Sequence, residues 1–87
     1  HKKLASEKWY QRTNTLRAMV RVDLDSAKHF LYQSLLDEHP NVRREVVTII
    51  LETLPNDAVP HLEKVLNDES WEVRFYAKQA IRLIRQK

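Results

Sequence analysis

The stretch Leu35-Leu36-Asp37-Glu38-His39-Pro40-Asn41-Val42-Arg43 is answered by Val65-Leu66-Asn67-Asp68-Glu69-Ser70-Trp71-Glu72-Val73-Arg74, in register at an offset of 31 residues. The same offset carries Ser6-Glu7 to Asp37-Glu38 and Gln11-Arg12 to Val42-Arg43. It takes Trp9 to Pro40 and then to Trp71, and Ala18-Met19 to Ile49-Ile50 and then Ala80-Ile81. Between these blocks, Ala27, Leu31 and Leu35 fall on Ala58, Leu62 and Leu66. Such a period marks stacked supersecondary units, each too short to bury its apolar face alone.

Within a unit the apolar positions step by three and four. Val42, Val46, Val47, Ile49, Ile50 and Leu54 share one side of a 3.6-residue helix, as do Val73, Ala77, Ala80, Ile81 and Ile84. Pro40 suits a first turn, where its missing N–H is no loss. Ser70 can cap the last helix, and Ser26 and Asp57 the two shorter ones, which leaves Pro60 in a tolerated position. Without any Gly, the turns are expected to rely on Asp23-Leu24-Asp25, Leu54-Pro55-Asn56 and Asn67-Asp68-Glu69, where Asn and Asp accept left-handed backbone. The spacing predicts helices near 5–22, 26–36, 40–54, 57–67 and 71–86, in the order A, B, A, B, A.

The Asp-Glu turn followed by Val-Arg resembles HEAT repeats, most closely the short bacterial type also found in relatives of phycobilisome lyases. The resemblance implies an all-α solenoid, an alpha-alpha superhelix of five helices in one domain, with units near 6–36, 37–67 and a partial 68–87. It also implies a ladder of hydrogen bonds in which Asp37 serves Arg43 and Asp68 serves Arg74. The first unit keeps Arg12 but has Ser6 in the Asp place, as an atypical terminal unit does. In this family the B helices line the concave side, which points to Lys28, Tyr32, Gln33, Glu63, Lys64 and Asn67, with Val59, as the partner-binding positions. An exposed Tyr32 beside Lys28 is the expected anchor, since Tyr is enriched at binding hot spots.

Composition narrows the chemistry. A chain of 87 residues has no room for a large enclosed active site. The absence of Gly removes phosphate-cradling loops and the nucleophile elbow that Ser6, Ser26, Ser34 or Ser70 would need. The absence of Cys removes disulfides and thiolate metal sites. His1, His29, His39 and His61 include no helical pair at i, i+3 or i, i+4. Neither a metal, nor another cofactor, nor a catalytic residue is therefore expected. No run approaches the ~18 apolar residues of a membrane span. His1-Lys2-Lys3-Leu4 lacks the apolar core of a secretory signal. His1 fits either a tag remnant or a piece of a longer chain. The expected protein is a cytoplasmic monomer.

The net charge of +3 is unevenly spread: residues 1–21 carry +5, residues 22–73 carry −7 and residues 74–87 carry +5. Arg12, Arg43 and Arg74 recur at the repeat offset, and bidentate pairing with carboxylates favours ladder bonds over a row of phosphate contacts. Asp37-Glu38 and Asp68-Glu69 precede helix N-termini, where the dipole favours negative charge. Trp9 and Trp71 read as wedges packing a turn against the neighbouring unit. Arg74, Lys78, Arg82 and Arg85 form one cationic stripe on the last helix, read first as a solvated face and second as a contact for phosphate or an acidic partner. The expected function is non-catalytic binding of another protein. Nucleic-acid binding through the basic A-helix and terminal residues is the alternative.

Overall fold

A computed structural model describes residues 8–87. Five α-helices account for most of it: α1 Trp9–Val22, α2 Leu24–Ser34, α3 Pro40–Thr53, α4 Val59–Glu63 and α5 Trp71–Arg85. No strand occurs among the described residues. The predicted beginning of the first helix near residue 5, and the place of Ser6 and Glu7, lie outside them.

Local chemistry sets the helix ends. At α2 the cap is Asp23 rather than Ser26, so the helix starts earlier than predicted. The Asp23 carboxylate accepts from the backbone N–H of Ser26 at 3.4 Å and from its hydroxyl at 2.7 Å. Pro40 opens α3, and His39 Nδ1 accepts from the N–H of Asn41 at 3.1 Å. Ser70 caps α5 by accepting from the N–H of Val73 at 3.5 Å. Asp57 does not cap α4; its carboxylate is taken by Tyr32 and Lys28 instead. That helix is shorter than predicted because residues 64–68 wind more tightly, with Val65 bonding Leu62 at 3.0 Å and Asp68 bonding Val65 at 3.2 Å. The left-handed residue after α3 is Leu54 (φ 48°, ψ 57°), not one of the Asn or Asp residues expected to take that role. Its N–H closes the helix onto the carbonyl of Ile50 at 2.7 Å.

Packing follows the repeat. The A helices α1, α3 and α5 lie side by side, α2 packs on α1 and α3, and α4 packs on α5. The result is a slab of 41 × 31 × 16 Å. One core runs from Leu16 to Ile84, and Leu31, Val46, Val47, Ile50 and Leu62 are completely buried within it. Each such side chain contributes roughly 1.5–3 kcal/mol relative to exposure, so α3, which supplies three of the five, is the most heavily invested helix.

Candidate functional site

Arg12, Arg43 and Arg74 contact the Asp residues of the inter-helix turns, and two of these contacts, Arg12–Asp37 and Arg43–Asp68, cross from one unit to the next. Arg43 donates from Nε to Asp68 Oδ2 at 2.7 Å and from Nη2 to Asp68 Oδ1 at 3.1 Å. Its third donor, Nη1, reaches the backbone carbonyl of Asp37 at 2.7 Å. Arg12 repeats the forward grip on Asp37, with both bonds at 3.2 Å. Arg74 repeats the backward contact, from Nη1 to the carbonyl of Asp68 at 2.7 Å. The pairing expected from sequence is therefore corrected in direction. Arg12 and Arg43 bind the carboxylate of the turn that follows them, whereas Arg43 and Arg74 reach the Asp carbonyl, not the carboxylate, of the turn that precedes them. The guanidinium fork makes this double service natural, since one edge matches a carboxylate and a further N–H remains for a carbonyl. Consequently the Arg12 rung needs no acid at Ser6. The carboxylates also brace their own turns, Asp37 accepting from the N–H of His39 at 2.8 Å and Asp68 from that of Ser70 at 2.9 Å. No buried side-chain polar atom among the described residues lacks a partner.

A second set of ion pairs crosses the A helices. Arg17 on α1 meets Glu45 at 2.8 Å and Glu52 at 3.4 Å on α3. Hydrogen bonding to Glu45 is the main cause of its raised pKa. Arg44 reaches Glu72 on α5 at 3.7 Å.

The B-helix positions divide between two grooves. Lys28, Tyr32, Gln33 and Lys64 line one of about 440 Å³ between α2 and α4, together with His29, Leu36, Asp57 and His61. Tyr32 is not the exposed anchor expected from sequence. It is 9% exposed and belongs to the core, its ring stacked on His61 at 4.0 Å and its hydroxyl donating to Asp57 at 2.5 Å. Burial raises the Tyr32 pKa, aided by Asp57, and the Tyr32 hydroxyl is the main cause that lowers that of Asp57. Lys28 sits between Asp25 at 3.2 Å and Asp57 at 3.5 Å, and its pKa is raised, chiefly by the Asp25 hydrogen bond. Leu36 at the rim is 63% exposed. Leu36, Asp57 and His61 are not among the partner-binding positions expected from the sequence. A leucine exposed at the end of a B helix is the one signal that could have marked the rim. Glu63 lines the other groove with Leu66, Lys78, Ile81 and Arg82, while Asn67 is exposed.

The cationic stripe is only partly free. Arg85 pairs with Glu63 at 3.4 Å, Arg82 bonds Gln79, and Arg74 turns back to its own turn, whereas Lys78 is exposed. The two Trp residues differ. Trp9 packs on the core with its ring 5.7 Å from His39, which fits a wedge. Trp71 does not act as one: it is 63% exposed, touching Phe75 at a ring separation of 6.5 Å. Nothing in the described residues lies over it as His39 lies over Trp9.

Side-by-side A helices tied by an Arg–Asp ladder define an all-α helical-repeat protein. A family model described as HEAT repeats matches residues 1–85, and the chain belongs to that family. HEAT repeats generally serve as scaffolds for protein–protein interaction. No curated protein and no solved structure matches the chain. No described helix is long and apolar enough to cross a membrane.

Proposed function

We propose that this chain is a non-catalytic protein-binding module of the cytoplasm, working as a monomer and engaging its partner at the groove between α2 and α4. The observation that supports this reading is the groove's construction. Its floor is fixed by the Tyr32–His61 stack and the Tyr32–Asp57 bond, and its rim carries the exposed apolar side chain of Leu36. A rigid floor lowers the ordering cost of binding, and an exposed leucine beside Lys28, Gln33 and Lys64 supplies an apolar anchor within polar surroundings. Asp57 and Lys28 neutralise each other, so the groove has no single-sign field to attract phosphate. The ladder residues Asp37, Arg43, Asp68, Arg74 and Arg12 have a structural part in this reading, holding the turns that space α2 from α4.

The test is quantitative affinity capture with the intact chain, compared with a Leu36→Asp, Gln33→Glu double variant. Proteins retained by the native chain and lost from the variant support the groove. An identical set from both removes it. Duplex DNA titrated at low salt should show no binding, and a tight, steeply salt-dependent complex would return the nucleic-acid reading.

A further inference from the structure

The groove between α2 and α4 lies on the side of the stack, between two B helices. A unit added before α1 or after α5 would lengthen the stack and leave this groove open. Its hydrogen-bonding groups are unevenly spent. Asp57, the one acid in the lining, has both carboxylate oxygens occupied, Oδ1 by the Tyr32 hydroxyl and Oδ2 by Lys28. Lys28 is committed in turn, shared between Asp57 and Asp25. Lys64 and Gln33 are exposed, and neither side chain has a partner among the described residues. The aliphatic side chain of the lining, Leu36, is also largely exposed. Gln33 and Lys64 are repeat equivalents, so they sit at one level on neighbouring B helices, and Leu36 follows Gln33 by three residues.

Resting on the reading of this groove as the partner-binding site, we infer that its occupant is an extended segment of a partner protein carrying one acid beside an apolar residue. The carboxylate pairs with Lys64 and the apolar side chain covers Leu36. Charge complementarity selects the acid. The groove's own carboxylate is spent while a lysine and an amide are not, so the group missing from the site is an acceptor. A basic segment would set its charge against Lys64 with Asp57 already neutralised by Lys28, and like charges in one interface are costly. One unspent cation matches one carboxylate, whereas a nucleic-acid backbone draws on several. Position sets the spacing. Leu36 belongs to the α2 side of the groove and Lys64 to the α4 side. Packed helix axes lie ~8–10 Å apart and an extended chain rises ~3.3 Å per residue, so the acid and the apolar residue stand about two to three residues apart.

The test selects from a displayed library of random short peptides with the intact chain, then measures the enriched sequences as fluorescent synthetic peptides by anisotropy. The enriched peptides are expected to share an acid close to an apolar residue. Exchanging that acid for its amide should weaken binding by about threefold or more. Lys64→Glu should weaken the acidic peptide by about tenfold or more, and should recover affinity for the same peptide with Lys in place of the acid. Leu36→Asp should abolish binding. Lys64 and Leu36 are exposed, so both variants are expected to keep the native circular dichroism spectrum. Binding that both variants leave unchanged removes the groove reading and this inference together. Binding lost in Leu36→Asp, but selected without an acid or indifferent to Lys64→Glu, overturns the inference and leaves the groove reading in place. An empty selection, or a dimer of the chain that dissociates in Leu36→Asp, overturns the inference as well.

Discussion

Arg43 and Asp68 are joined by two hydrogen bonds across a unit boundary, and the same guanidinium holds the carbonyl of Asp37 on the other side. Two successive turns are thereby indexed to each other through one side chain, while Arg12 on α1 holds the Asp37 carboxylate and Arg74 on α5 the Asp68 carbonyl. The central rung is the most deeply set, with side-chain exposures of 10% for Arg43 and 8% for Asp68.

Arg43→Ala should therefore be severe. It strands a nearly buried carboxylate and a turn carbonyl, a loss of about 3–5 kcal/mol against a total stability of about 5–15 kcal/mol. Arg43→Lys keeps the charge but not the fork, so its melting midpoint should fall between the native and alanine values. Arg85→Ala removes an open pair with Glu63 and should cost no more than about 0.5 kcal/mol. Equal melting midpoints for Arg43→Ala and Arg85→Ala would show that the rung carries no stability.

Tyr32→Phe should destabilise by about 1 kcal/mol through loss of the bond to Asp57. The pH dependence has a defined sign. The Tyr32 pKa is raised above its ordinary 10.0, so its contribution is complete below that value and is lost as pH climbs toward the folded one. The Asp57 pKa is lowered from 3.8, so its contribution is present above that value and lost as pH falls through the folded one. The difference in urea midpoint between native and Tyr32→Phe should be flat across neutral pH and shrink at both extremes. A difference constant into strong alkali would refute the bond's role.

Leu54 holds a backbone conformation that costs a non-glycine residue about 1–2 kcal/mol. Leu54→Gly recovers that cost while giving up a half-buried side chain, so the net change should stay within about 1 kcal/mol. Leu54→Val keeps apolar bulk but adds β-branching where φ is positive, and should be the worse of the two. Denaturant midpoints in the opposite order would contradict the assignment of strain.

Val47 and Lys78 are repeat equivalents in opposite surroundings, one completely buried and the other exposed. Val47→Lys buries an unpaired charge and should prevent cooperative folding as followed by circular dichroism. Lys78→Val should leave the melting midpoint within about 0.5 kcal/mol of native. A folded Val47→Lys protein would mean that α3 and α5 do not pack as described.

The helical repeat was legible because a 31-residue offset is preserved through Leu31 and Leu62, Val42 and Val73, and Arg43 and Arg74. Direction was not. Equivalence tells which residues share a role, but whether Arg43 meets the Asp before it or the Asp after it depends on the angle between helices. The pull of Asp57 toward Tyr32 and Lys28 rather than toward its own helix is likewise a tertiary contact, invisible to capping rules. Leu54 shows local preference giving way to closure of α3 over the core, since only the path of the chain requires a left-handed residue there. Tyr32 defeated the face assignment because its neighbour in space is His61, twenty-nine residues away.

A slab 16 Å thick has a consequence for how it opens. Among the described helices only α3 has an A helix on both flanks, α1 on one side and α5 on the other. The outer helices can therefore lose their hydrogen bonds while the middle still holds, but α3 cannot release its amides without parting from everything else. In deuterium exchange, the amides of Val46, Val47 and Ile50 should report the opening of the whole protein. Those toward the end of α5 should exchange through partial unzipping that leaves the Arg12–Asp37 side of the chain intact.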